Sequence, residues 1–325
     1  MAKKRKIEFG VTENIAKNLV FIDGLPRCGK SLFSGILSSL DRFEHIKFFS
    51  LIEHIVPSAA VGAIDIGCAK AILRLNLNEL IYNSFISRNV NFRPDDQTGI
   101  WNYKDPKVYF QRLSAPEGDS VVEEIRKGNH FVPFQTHDLL SNLSTLDKLE
   151  VDYRMLTLFR DPLDVCYSWW KRGWGDRFGA DPRAFTLLLK QGKDTLPWYS
   201  LEEPKRWLRA NPQEKCVLNV LDIYNNSLKE YKAAAQPERL CPVFFEDFVQ
   251  KPHQELDRIC GFLNTSQTDF TERAIKLANC PRVLIQADKE RKLLELKGAV
   301  EPSLWEQLMR LTEQYEAGHC GIKKF

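Results

Sequence analysis

The stretch NLVFIDGLPRCGKSLFSGIL, residues 18–37, constrains the fold of this chain more than any other. A short apolar run bounded by glycine suits a buried parallel strand, and the segment after the loop carries Leu32, Phe33, Ile36, Leu37 and Leu40 at helical spacing. Between them, Gly24 to Ser31 fits the pattern G-x-x-x-x-G-K-[ST], a phosphate-binding loop. Glycines at 24 and 29 let the backbone approach an anion closely. The helix that follows aims its first N–H groups at the same point, and Arg27, Lys30 and Ser31 add charge and a hydroxyl.

The unit recurs. HIKFF at 45–49 reads as a second strand, and HFVPFQTHD, DYRMLTLFRDP and RLCPVFFEDF each read as a short β-rich run ending in polar residues and followed by a helical stretch. Repeated strand then helix implies an α/β protein with a parallel sheet, and such sheets bind ligands beyond the carboxyl ends of their strands. Residues 1–17 read as a polar arm with a basic KKRK cluster. Residues 51–88 are helical in pattern and 89–106 form a long loop with Trp101 and Tyr103 as anchors, so 51–112 is expected to cap the sheet. Residues 172–200, rich in Gly and Pro, read as an irregular insertion. The whole of 1–325 is expected to form one domain.

Composition sets limits on the ligand. A net charge of +3 is far below that of a dedicated nucleic-acid binder, so no nucleic-acid partner is expected. No apolar run approaches a membrane span and the basic start has no apolar stretch after it, which predicts a soluble, cytoplasmic chain without membrane insertion. The eight cysteines include no C-x-x-C pair, which predicts free thiols and no zinc site.

A second motif narrows the anion. In MLTLFRDPLDVCYSWW the strand ends in Arg160, followed by Asp161, Pro162, Asp164 and Ser168. A mononucleotide NTPase would be expected to end a later strand in an aspartate that reaches Mg²⁺. Arg160 with Ser168 instead makes a second anion site, although Arg160 and Asp164 read alone also suit a structural ion pair. Two phosphate sites suit a nucleotide with phosphates on both its 5′ and 3′ positions.

On these residues the chain resembles the sulfotransferase family, whose donor is 3′-phosphoadenosine-5′-phosphosulfate (PAPS). PRCGKS at Pro26–Ser31 is similar to the family's 5′-phosphosulfate loop, and RDPLDVCYS from Arg160 to Ser168 matches its 3′-phosphate motif R-[DN]-P-x-D-x-x-x-S throughout. PFQTHD puts His137 where the family carries its general base, and VFFEDFVQKP resembles a further landmark. The resemblance implies a P-loop NTPase-like three-layer fold, a central parallel sheet of about five strands between helices with a helical cap. It implies a donor site of Gly24, Pro26, Arg27, Cys28, Gly29, Lys30, Ser31, Leu32, Arg160 and Ser168. Arg27 and Lys30 would stabilise the leaving phosphate and His137 would take the acceptor's proton, with bisphosphate (PAP) as product and no metal required.

The departures from the pattern matter. Cys28 and Lys30 stand where the family usually has hydroxyl residues, Lys30 keeps a kinase or NTPase using Mg-ATP as a rival, and a non-catalytic nucleotide-binding regulator is a third reading. Gln135 replaces a lysine common in soluble small-molecule members. The C-terminal R-K-G loop of those enzymes has no ordered counterpart, and Arg291, Lys292 and Lys297 in KERKLLELKG are its candidates. Asp138, or an acidic residue on the cap, is the alternative base. Trp169, Trp170 and Trp174 are candidates to floor a pocket, and the expected acceptor is a hydroxyl (or amine) of a small molecule or glycoconjugate.

Overall fold

Alternate residues of the first strand, β1 (Asn18–Asp23), face two different cores: Leu19 and Phe21 belong to one, Val20 and Ile22 to the other. That is the signature of a strand covered on both faces. The same division runs through β4 (Tyr153–Phe159), with Met155 on one side and Leu156 on the other. It recurs in β7 (Leu240–Phe244), where Phe244 and Val243 part. The computed structural model, which describes residues 8–178 and 180–322, is thus three-layered.

With β2 (Lys47–Phe48) and β3 (Phe131–Gln135), these strands form a five-stranded parallel sheet in the order β2-β3-β1-β4-β7. Phe21 of β1 pairs with Phe134 on one side and Met155 on the other, so β1 is central. The larger core packs helices Ser50–Ala60, Ile66–Phe85, Pro162–Trp170, Pro212–Lys232 and Pro302–Gly318 on one face. The smaller packs Lys30–Leu37, Pro252–Leu263 and Asp269–Leu277 on the other. The expected cap is therefore partly a sheet layer, since Ile52, Val56, Leu73 and Leu77 share the core of β1, β3 and β4.

Two details go beyond the sequence reading. The insertion contains an antiparallel hairpin, β5 (Leu188–Gln191) with β6 (Asp194–Pro197), turned at Gly192, whose φ is 63°. The arm is anchored at its end: the Ile15 N–H donates to Asn78 Oδ1 at 2.9 Å and the Arg74 guanidinium to the Thr12 carbonyl at 2.8 Å. The KKRK cluster lies outside the described residues. All eight cysteines are free, and among the described residues no helix is long and apolar enough to cross a membrane.

Candidate functional site

Because the sheet is parallel, the segments after β1, β3, β4 and β7 emerge on one side. The loop after β1 is held open by two glycines with positive φ, Gly24 at 145° and Gly29 at 100°. A Cβ on Gly24 would overlap the Leu158 carbonyl, and one on Gly29 the ring of Phe245. These positions require glycine for space as well as for conformation. Arg27 also adopts positive φ, 73°, which turns its side chain out to the cleft.

The segment after β4 starts a helix for local reasons. Asp161 caps it, accepting the Leu163 N–H at 2.8 Å, and Pro162 occupies the first turn. That start sets Arg160 just before the helix and Ser168 two turns along it. Arg27 Nε donates to Ser168 Oγ at 3.1 Å and Arg160 Nη1 to the Arg27 carbonyl at 3.1 Å, so the two sequence motifs meet. Arg160 also lies over the Phe245 ring, 4.5 Å from its centroid, and bonds Asp164 Oδ2 at 2.9 Å. Its buried Nε has no hydrogen-bond partner among the described residues. Burial, and then the charges of Arg172 and Arg160, push the Arg27 pKa below its ordinary value. Crowded cations of this kind are relieved by an anion.

A cleft of about 1170 Å³ opens here, lined by Arg27, Gly29, Lys30, Ser31, Leu32 and Arg160, with Gln135, His137, Phe245 and Arg282. Lys30 is buried at its edge, donating to the carbonyls of Gly24 and, at 2.8 Å, of Leu25. Cys28 is buried beneath the loop, its thiol pKa raised by burial. Arg291 and Lys292 do not line this cleft. Lys292 reaches Asp164 Oδ1 at 2.8 Å and so braces the carboxylate that holds Arg160, while Arg291 pairs with Asp288 at 2.6 Å and the Tyr167 hydroxyl at 2.7 Å.

A second cavity of about 570 Å³ adjoins the first, and His137 and Phe48 line both. Its wall is a run of aromatic rings: Trp169 lies 5.1 Å from Trp174 and 6.4 Å from Phe178, and Tyr199 lies 6.2 Å from Phe178 and 5.3 Å from Trp198. Pro26 belongs to this wall, its carbonyl accepting the Trp169 indole N–H at 2.8 Å; Trp170 does not line it. The two arginines at its rim share one carboxylate, Arg177 Nε donating to Asp181 Oδ2 at 2.9 Å and Arg183 Nε to Oδ1 at 3.0 Å, so the rim keeps a net positive charge. His54 Nε2 meets the Phe185 carbonyl at 3.0 Å and so ties the cap to the insertion across the mouth.

His137 sits in the turn after β3, and a buried carboxylate fixes that turn. Asp23, at the end of β1, accepts from Thr136 Oγ1 at 2.9 Å, Leu139 N at 3.1 Å and Leu140 N at 2.9 Å. Glu53 of the cap helix accepts at a single atom, Oε1, from the His137 main-chain N–H at 2.9 Å and pairs with Nδ1 at 3.0 Å. Asp138 follows in left-handed backbone, φ 60°, and lines the second cavity. Burial raises its carboxyl pKa well above the usual range, against the opposing charge of Lys30. Residue spacing had not singled out Glu53, Asp23, Phe245 or Arg282. Phe245 carried a signal, since it precedes the Glu246-Asp247 pair of a family landmark.

A model of the sulfotransferase domain matches residues 17–281. The chain belongs to the sulfotransferase family. No curated protein sequence matches it. Among solved structures, this sulfotransferase is similar to the sulfotransferase domain of the Synechococcus PCC 7002 olefin synthase, with 16% identity, 96% of this chain and 98% of that one covered, and a TM-score of 0.47. It is similar too to the sulfotransferase domain from the curacin biosynthetic pathway, at 14% identity, with 94% and 99% covered and a TM-score of 0.48. A sulfotransferase from Alicyclobacillus acidocaldarius shares 17% identity over 92% and 97% of the two chains, at a TM-score of 0.38.

Proposed function

We propose that this sulfotransferase moves a sulfuryl group from PAPS to the hydroxyl of a small, apolar, ring-bearing acceptor. The observation that carries the reading is the position of His137, at the one place where a cationic cleft and an aromatic cavity meet. The residues present fit the donor. Two positive-φ glycines leave room for a phosphate at the loop, exposed Ser31 lies in the first turn of the helix beside it, and Arg27 stands crowded by Arg160 and Arg172, with Arg160 Nε unpartnered among the described residues. Gly24, Gly29, Lys30, Ser31 and Leu32 would hold the 5′ end, and Arg160 and Ser168 the 3′-phosphate, with Lys292 bracing Arg160 through Asp164.

The donor supplies an activated sulfuryl group on a phosphate. Everything else falls to the chain. Arg27 and the loop N–H groups take up the charge that grows on the departing phosphate, a role for preorganised donors in a low-dielectric cleft. Lys30 joins them by exchanging a loop carbonyl for the anion. His137 accepts the proton of the acceptor hydroxyl, a role worth roughly a hundred-fold to ten-thousand-fold in rate. The aromatic wall holds the acceptor.

Thermal unfolding with 3′,5′-adenosine bisphosphate and, separately, with Mg-ATP tests the donor. A ligand at about a hundred times its dissociation constant adds roughly 2.7 kcal/mol to the native state. The bisphosphate should raise the midpoint and Mg-ATP should not; the reverse result replaces this reading with a kinase or NTPase. Transfer of labelled sulfate to 2-naphthol, against glucosamine as a polar acceptor, tests the acceptor, and preference for the sugar overturns the assignment of the aromatic cavity.

A further inference from the structure

We propose that Glu53 is a positioning residue for His137, fixing the imidazole tautomer that leaves Nε2 free to take a proton; this rests on His137 being the base. The argument is one of donors and acceptors. Glu53 Oε1 takes the His137 main-chain N–H at 2.9 Å and meets Nδ1 at 3.0 Å. A carboxylate has only lone pairs to offer, so Nδ1 carries the hydrogen and Nε2 the lone pair. Two bonds from one oxygen to the backbone and ring of the same residue fix both the position of the turn and the plane of the ring. Asp23 clamps the same turn from β1, so the ring is held from two elements.

Glu53 reaches the site from the first turn of helix Ser50–Ala60, whose Ile52 and Val56 are buried in the larger core. The carboxylate is therefore placed by packing and not by the loop that bears the histidine. The charged groups that line the two cavities with His137 are Arg27, Lys30, Arg93, Asp95, Asp96, Arg160 and Arg282 in the first, and Glu53, His54, Asp138, Arg177 and Arg183 in the second. Glu53 is the one that bonds the ring. An imidazole that gains a proton at Nε2 becomes a cation, and the adjacent Glu53 carboxylate stabilises that charge.

Two readouts test this, one without turnover. In ¹⁵N-labelled protein, long-range ¹H–¹⁵N spectra at pH 8 identify His137 by its absence in His137→Asn. The wild type should show Nδ1 protonated and Nε2 bare, and Glu53→Leu should convert His137 to a mixture of tautomers. The second readout uses water as acceptor: its oxygen bonds to sulfur as the sulfur–oxygen bond to the 5′-phosphate breaks, the electron pair leaves with the bisphosphate, and His137 takes the proton. Labelled sulfate released from PAPS should fall about ten-fold or more in Glu53→Leu, with bisphosphate affinity unchanged within about two-fold. Glu53→Gln keeps an acceptor oxygen, guards against a folding defect, and should keep the tautomer with a smaller loss.

Retention of the Nδ1–H signature in Glu53→Leu overturns the proposal, as does unchanged sulfate release. Loss of release in Glu53→Gln with release preserved in His137→Asn overturns it too, and makes Glu53 the base. Failure of the donor reading looks different: the wild type then neither binds the bisphosphate nor releases sulfate, whatever the tautomer spectrum shows.

Discussion

Gly29 concentrates the constraints of the donor loop in one residue. Its φ of 100° is costly for any side chain, and a Cβ there would strike Phe245, the ring over which Arg160 lies. Gly29→Ala should lower the unfolding midpoint and weaken bisphosphate binding together, because relief of the overlap moves the support of Arg160. Gly35 is the control: it lies in helix Lys30–Leu37 with nothing within 4 Å of its added Cβ, so Gly35→Ala should stabilise by roughly 0.5–1 kcal/mol. Calorimetry of both variants with and without the bisphosphate checks the pair. The sequence marked Gly29 by its place in a motif, but its neighbour Phe245 opens the helix that follows β7, and no spacing rule connects the two.

Elements are joined by buried polar links as well as by cores. Glu44, ahead of β2, receives both Arg112 nitrogens at 2.8 Å and 2.9 Å and the Tyr109 hydroxyl at 3.1 Å, which ties helix Lys107–Leu113 to the sheet edge. Arg112 lies 4.2 Å from the centroid of Phe85, at the end of helix Ile66–Phe85. Burial alone would raise the Glu44 pKa, but the Arg112 bonds and charge outweigh it and hold the group below its usual value. Removing one partner strands a buried charge. Arg112→Ala should cost about 3–5 kcal/mol in urea unfolding, and replacing both residues by apolar ones should cost much less. The hairpin β5–β6 belongs to this scale too. Its two-residue turn begins at Gly192, a local signal that was present in the sequence within a stretch read as irregular.

For the molecule as a whole, buried carboxyl groups with raised pKa, Asp138, Asp161, Asp222 and Glu246 among them, make stability depend on pH. Asp222, in helix Pro212–Lys232, has its pKa pushed up to about 7, first by burial and then by Glu202 and Glu203. Its unfolded pKa is near 4. Between those values the native chain keeps a proton that the unfolded chain has lost, so stability falls as pH rises from about 4 to about 7. Asp222→Asn should raise the unfolding midpoint at pH 8, by on the order of 2 kcal/mol, and give no gain at pH 4. Parallel unfolding curves at the two pH values decide it; an equal effect at both would show that the carboxyl is not held protonated.

The strand, loop and helix at residues 18–37 and the start of the helix at Asp161-Pro162 were legible because each depends on neighbours in sequence: apolar period, glycine freedom, a capping side chain. The parallel sheet followed from repetition of that unit, and its three layers from the family resemblance. Tertiary structure alone decided which charges face the cleft. Arg291 and Lys292 have the charge expected of phosphate ligands, yet in helix Gln286–Lys297 Arg291 is taken up by Asp288 and Tyr167, and Lys292 by Asp164, the carboxylate that also pairs with Arg160. Glu53 and His137 lie 84 residues apart and meet because a cap helix docks on the face of the sheet beside β3. Charge and residue type are carried by the sequence, but the partner that consumes a charge is chosen by packing between distant segments.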